Sequence, residues 1–135
     1  MKKTYADLFM LVMNLNEQIK DGKTKLEKKL IKFGERIKKY SEQYDEDKNE
    51  ILLDNAHADA DGVLLTDEKG NYRYTKEGLK KRQTQLRELL NKEFDFEPIP
   101  VINPEGLSEL TFLKGWVTGV DFVEDVVEEE EEVEL

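Results

Sequence analysis

The chain has 135 residues, 39% of them charged and 38% hydrophobic, with a formal net charge of −10 and no cysteine. That length suits one domain with its own core, and so charged a composition favours long solvated helices over a thick interior. The missing cysteines exclude disulfides, thiolate metal sites and thiol nucleophiles, and they fit a reducing compartment.

The first residues, MKKTYADLFMLVMNLNEQ, place two lysines before an apolar stretch. Asp7 and Asn14 interrupt that stretch, its spacing is helical, and no small-residue cleavage site follows. It is therefore read as a folded element and not as a secretory leader. No run approaches the roughly 20 apolar residues of a membrane span, and the expected location is cytoplasmic. Thr4 with Asp7 three residues on resembles a capping box, in which each side chain satisfies a free backbone N–H of the first helical turn. Tyr5, Leu8, Phe9, Val12, Leu15 and Ile19 then recur at three- and four-residue steps along one face. Asp21-Gly22 ends this first helix, glycine being suited to the left-handed cap position.

Thr24 and Glu27 form a second capping box. Leu26, Leu30, Phe33, Ile37, Tyr40, Tyr44 and Ile51 follow at 4-3-4-3-4-7 spacing, a heptad seam with Asp47 at the skipped step. That seam predicts a long helix packed along a partner, and the short turn makes the first helix its antiparallel neighbour. The second helix outruns the first, so beyond about Tyr40 its cover must come from a third helix or a second subunit. Gly34 sits inside it, where it weakens the helix by about 1 kcal/mol relative to alanine and could admit another backbone.

From Asn55 the periodicity stops. Val63-Leu64-Leu65-Thr66, the turn-forming Asp67-Glu68-Lys69-Gly70-Asn71, and Tyr72-Arg73-Tyr74 read as a small β-hairpin. Thr75 is the expected cap of a third helix carrying Leu79, Leu86, Leu89 and Leu90. FDFEPIPVI, Phe94 to Ile102, alternates and is extended, with Pro98 and Pro100 barring it from a central strand. Asn103-Pro104 resembles a helix start, and a short last helix bearing Leu107, Leu110, Leu113 and Trp116 is expected. The stretch DFVEDVVEEEEEVEL reads as a solvated acidic tail. The expected organisation is one helical domain over residues 1–120, with a β-hairpin insertion near 62–74, and a tail over 121–135.

Charge is distributed unevenly along this plan. Residues 1–40 hold 11 Lys/Arg against 5 Asp/Glu, whereas residues 103–135 hold 1 against 11. Nine cations, Lys20, Lys23, Lys25, Lys28, Lys29, Lys32, Arg36, Lys38 and Lys39, crowd the helical hairpin. They could follow a phosphate backbone, although no exposed aromatics are interleaved with them for base stacking. The acidic stretch, spaced by Val123, Val126, Val127 and Val133, could fill a basic groove, on this chain or on another.

Catalytic patterns are few. Asp59, Asp61, Gly62 and Glu68 fall at calcium-loop spacing, but His57 stands at the first ligand position and Lys69-Gly70-Asn71 replaces the exit helix. The simpler reading is an acidic loop turned by Asp61-Gly62. His57 is the only histidine, and there is no phosphate-binding glycine loop or zinc-binding His-Glu-x-x-His. No catalytic residue, metal site or cofactor is expected.

The middle of the chain carries a lysine-rich helix, the D-x-D-G turn of Asp59–Gly62, the stretch GNYRYTKEG from Gly70 to Gly78, and a leucine-rich helix ending near Asn91-Lys92-Glu93. In this, residues 25–95 or so resemble small uncharacterised proteins of tailed bacteriophages and related mobile elements. The resemblance implies a helical accessory protein in a phage-associated setting and carries no functional residues across.

The fold expected is mainly α: an antiparallel helical hairpin with a long second helix, a small β-hairpin, a third helix and a short last helix with the acidic tail. The expected function is a non-enzymatic protein-binding module, a phage accessory or structural component or an inhibitor of a host factor acting through acidic surface. The alternative is nucleic-acid binding through the lysine-rich hairpin. The candidate protein-binding residues are Phe33, Ile37, Tyr40 and Tyr44 on the seam, Tyr72, Tyr74 and Trp116, since aromatic side chains often anchor interfaces, together with Asp121, Glu124 and Asp125. The expected partner is a host or virion protein, with self-association open and no membrane involved.

Overall fold

A computed structural model describes residues 1–123 of the chain. The chain is mainly helical. Helix α1 (Tyr5–Gln18) opens on the reciprocal cap anticipated for it: the Asp7 N–H donates to the Thr4 hydroxyl at 3.1 Å, and the Thr4 N–H donates to the Asp7 carboxylate at 2.9 Å. Helix α2 (Lys25–Asn55) repeats the device with Thr24 and Glu27. Helix α3 (Lys76–Leu90) begins where Thr75 accepts from the Gly78 N–H at 3.0 Å.

Glu27 does more than cap its own helix. One carboxylate oxygen accepts the N–H groups of Lys20, Asp21 and Gly22 at 2.6, 3.1 and 3.0 Å, and the other accepts the Thr24 hydroxyl at 2.8 Å. The Thr24 hydroxyl, followed by the Lys20 and Gly22 amides, lowers its pKa to about 2. One side chain thus ties the turn after α1 to the start of α2.

The seam of α2 faces α1 and the C-terminal segments. Leu30, Phe33, Ile37 and Tyr44 are buried, while Leu26, Tyr40 and Ile51 are partly buried against the same core. From α1, Tyr5, Leu8, Leu11 and Leu15 enter it. The apolar face of α1 is rotated from the expected one: Leu11 is buried and Phe9 is 43% exposed. Tyr5 meets Tyr44 at 5.3 Å between ring centroids, which sets the two helices antiparallel.

Helix α3 covers the far end of α2. Asn55 donates to Gln85 at 2.7 Å, Leu89 is buried, and a Cβ at Gly78 would lie 2.7 Å from the Asn55 carbonyl oxygen. The close backbone approach considered at Gly34 occurs here instead. At Gly34 a Cβ would meet nothing within 4 Å.

Two short strand pairings join the segments that flank the helices. Strand β1 (Lys2–Thr4), unanticipated in the sequence, pairs antiparallel with β2 (Glu93–Asp95), and Lys2 meets Asp95 at 2.8 Å. Strand β3 (Ile99–Pro100) pairs in parallel with β4 (Val117–Thr118). Phe94 to Ile102 is largely extended, as its alternation suggests; Pro100 lies in the two-stranded β3–β4 pair, where both strands are edges, and Pro98 lies between β2 and β3.

Two expected elements change form. Between Ala56 and Tyr74 no strand propagates; single antiparallel bridges join Ala58 to Leu64 and Thr66 to Tyr72. The reason is a three-way junction: the His57 N–H donates to Arg73, Arg73 to Leu65, and Leu65 to His57, at 2.7, 2.9 and 2.8 Å. Each residue divides its two backbone groups between two partners, so no ladder extends. The last helix is likewise replaced by a succession of tight turns around a single 3₁₀ turn at Thr111–Leu113. The N–H groups of Leu107, Leu110, Leu113 and Trp116 each bond the carbonyl three residues back. Strict three-residue spacing explains this. On an α-helix such a stripe would drift by about 60° per step, putting Trp116 on the opposite face from Leu107.

Among the described residues no helix is long and apolar enough to cross a membrane.

Candidate functional site

Residues 29 to 36 of α2 present two kinds of side chain to the C-terminal segments. Leu30 and Phe33 point at the core, and Lys29, Lys32 and Arg36, at steps of three and four, flank them on one side. Opposite runs Ile99–Asn103, held by the parallel pairing: the Ile99 N–H donates to Trp116 at 3.0 Å and the Val101 N–H to Thr118 at 2.9 Å. Gly119, at φ +85°, lets that strand close in, since a Cβ there would stand 2.7 Å from the Val101 carbonyl oxygen. Leu107, Leu113 and Val117 form the floor. Lys29 donates to the Glu105 carbonyl oxygen at 2.8 Å and fastens the loop after Asn103 to α2.

The result is a groove of about 390 Å³ with an apolar floor and three cations on its rim. Its lining includes no carboxylate. Among the described residues, Lys29, Lys32 and Arg36 form no ion pair within 4.0 Å. Ile102 stands at the edge fully exposed, an aliphatic side chain presented to solvent. Beyond Arg36 the groove continues into a second recess lined by Lys39, Tyr40, Phe96 and Glu97. Such a surface attracts negative charge and rewards burial of apolar groups at the same place.

The residues anticipated as contacts are dispersed. Ile37, Tyr44 and Trp116 are committed to the core, at 2%, 9% and 4% exposure. Tyr44 lies under Phe9, edge-on at 4.9 Å, and burial followed by the charge of Asp45 raises its hydroxyl pKa. Trp116 packs on Phe96 at 4.9 Å with the Lys3 ammonium 4.6 Å from its ring. Phe33 is buried but lines the groove, and Tyr40, stacked on Phe94 at 5.1 Å, lines the second recess. Tyr74 donates to the Leu52 carbonyl oxygen at 3.2 Å, under the Arg82 guanidinium at 4.6 Å. Leu52 is about 24 Å along α2 from Arg36, so Tyr74 belongs to the other end of the helix. Tyr72 is 40% exposed, and Asp121 is exposed. Glu124 and Asp125 lie outside the described residues.

In the Asp59–Glu68 loop the carboxylates of Asp59 and Asp67 serve the backbone. Asp59 accepts the N–H groups of Asp61 and Val63 at 2.9 and 3.0 Å, and Asp67 accepts those of Lys69 and Asn71 at 2.8 and 3.0 Å. Gly62 and Gly70 complete twin turns at φ +81° and +82°. Among the described residues no three His, Asp or Glu side chains are grouped to hold a metal ion.

The groove's far wall escaped the reading of the sequence, though one signal was present. In an extended segment neighbouring side chains point to opposite faces, so Val101 and Ile102 cannot both face inward. Comparison with protein-family models, curated proteins and solved structures yields no match for this chain.

Proposed function

We propose that this chain is a non-enzymatic protein-binding module and that the groove between α2 and Ile99–Asn103 is its site. The ligand it suits is a segment of another protein that combines carboxylates with aliphatic side chains. The observation carrying this reading is the union of an apolar floor with Lys29, Lys32 and Arg36 and no carboxylate in the lining. Nucleic acid would use the cations but leave the exposed Ile102 and the half-buried Val101 without a role. The placement of charge on α2 supports a binding role as well. Cations gather in its N-terminal half, and those of the first turn, such as Lys25 and Lys28, stand where the helix dipole disfavours positive charge.

The test is fluorescence anisotropy of a labelled peptide alternating Glu with Val and Leu, titrated with the full chain at low and moderate salt. Lys32→Glu/Arg36→Glu and, separately, Ile102→Asp should each weaken binding at least about tenfold, a difference of about 1.4 kcal/mol. A single-stranded DNA probe that binds more tightly than the peptide, and is insensitive to Ile102→Asp, would move the assignment to nucleic acid.

A further inference from the structure

The groove lacks an anionic counterpart among residues 1–123, and the same chain supplies one immediately afterwards. Residues 124–135 read EDVVEEEEEVEL, with eight carboxylates, no cation, and Val126, Val127, Val133 and Leu135 among them. That is the ligand chemistry inferred above, written into the chain.

The point of departure favours the match. The Val123 N–H donates to the Ser108 carbonyl oxygen at 2.9 Å, and Ser108 adjoins Leu107 on the groove floor. Val120 and Phe122 pack against the core, so the path up to Val123 is anchored. Twelve further residues reach at most about 40 Å. Lys29 to Arg36 spans about 11 Å of helix, so length sets no barrier.

We propose that residues 124–135 dock in cis into the groove, placing aliphatic side chains on its floor and carboxylates against Lys29, Lys32 and Arg36. The segment then acts as a built-in competitor. A tether this short presents it at an effective concentration on the order of millimolar, which an outside ligand must outcompete. This inference rests on the reading of the groove as a binding site.

Because the chain has no cysteine, Glu130→Cys provides a unique attachment point for a nitroxide spin label. In the ¹⁵N-labelled full chain at low salt, the label should broaden the amide signals of Lys29, Lys32, Ile102 and Asn103. Broadening should disappear with Lys32→Glu/Arg36→Glu and fade as salt is raised. Absent broadening, or broadening centred on another face, overturns the proposal. Broadening in a mixture of ¹⁵N-labelled chain without nitroxide and spin-labelled chain without ¹⁵N also overturns it, because the docking is then between copies.

A second measurement separates this inference from the reading beneath it. Replacing all eight carboxylates of residues 124–135 by their amides should tighten binding of the Glu/Val/Leu peptide about tenfold relative to the wild-type chain. Equal binding by both forms overturns self-docking and leaves the groove as a binding site. No binding by either form removes the site itself and self-docking with it.

Discussion

The two ends of α2 lie on one continuous helix and have opposite character. Residues 25–40 carry 7 Lys/Arg against 2 Asp/Glu, and residues 41–55 carry 1 against 6. The acidic end lies beneath α3, packed so closely that Gly78 has no room for a Cβ beside the Asn55 carbonyl. The basic end borders an open groove on one face, and on the face toward α1 a Cβ at Gly34 would meet no neighbouring element within 4 Å. The acidic end is not empty of features: Asp47, Glu50, Asp54 and Glu88 line a recess there, but Lys92 enters it and approaches Asp47 at 3.9 Å. The lesson is that one helix can bury a single seam along its length and still leave, at its basic end, apolar surface and charge available on a neighbouring face.

Substitutions can break that comparison. Leu30 lies 1% exposed where the core meets the groove floor, and Leu30→Ala should cost about 2–5 kcal/mol in urea unfolding. A smaller loss would mean that the open groove lets its surroundings collapse into the space. Gly78→Ala should follow, at about 1–3 kcal/mol, because the added methyl meets backbone that cannot swing aside. Gly34→Ala should have the opposite sign, a gain of about 1 kcal/mol from helix propensity with no clash. Equal losses at both glycines would show that the two ends of α2 are packed alike.

The last effect appears only in acid. Glu27 titrates at about 2 in the folded chain, against an ordinary value of 4.5. A depressed carboxylate contributes stability that is present above the ordinary value and lost as pH falls from about 4.5 towards 2. The stability difference between wild type and Glu27→Gln, measured by urea unfolding, should therefore shrink across that window. A difference that stays constant from pH 5 to pH 2 would contradict the role assigned to this carboxylate.

What could be read from the sequence follows from how local each signal is. The caps at Thr4, Thr24 and Thr75 and the seam from Leu30 to Tyr44 depend on residues three and four apart, and the structure carries them all. Strand β1 is three residues whose partner lies some ninety positions away, so no local pattern announces it. The groove has the same origin. Its basic rim is a local helical pattern visible among the hairpin lysines, but its opposite wall depends on pairing Ile99 with Val117. Residue type alone singles out the candidate contacts, and the same large apolar side chains that anchor interfaces also fill cores. Ile37, Tyr44 and Trp116 went to the core; Phe33 and Tyr40 reached the groove because the seam on which they lie borders it.

The junction of His57, Leu65 and Arg73 has a consequence for solvent exchange. Each amide hydrogen is held by a carbonyl whose own residue's amide is held by the next, and the third closes back on the first. Displacing any one of the three residues breaks two of the three bonds, because each residue both donates and accepts. The three amide hydrogens should therefore show similar opening free energies in deuterium exchange, as one cooperative unit.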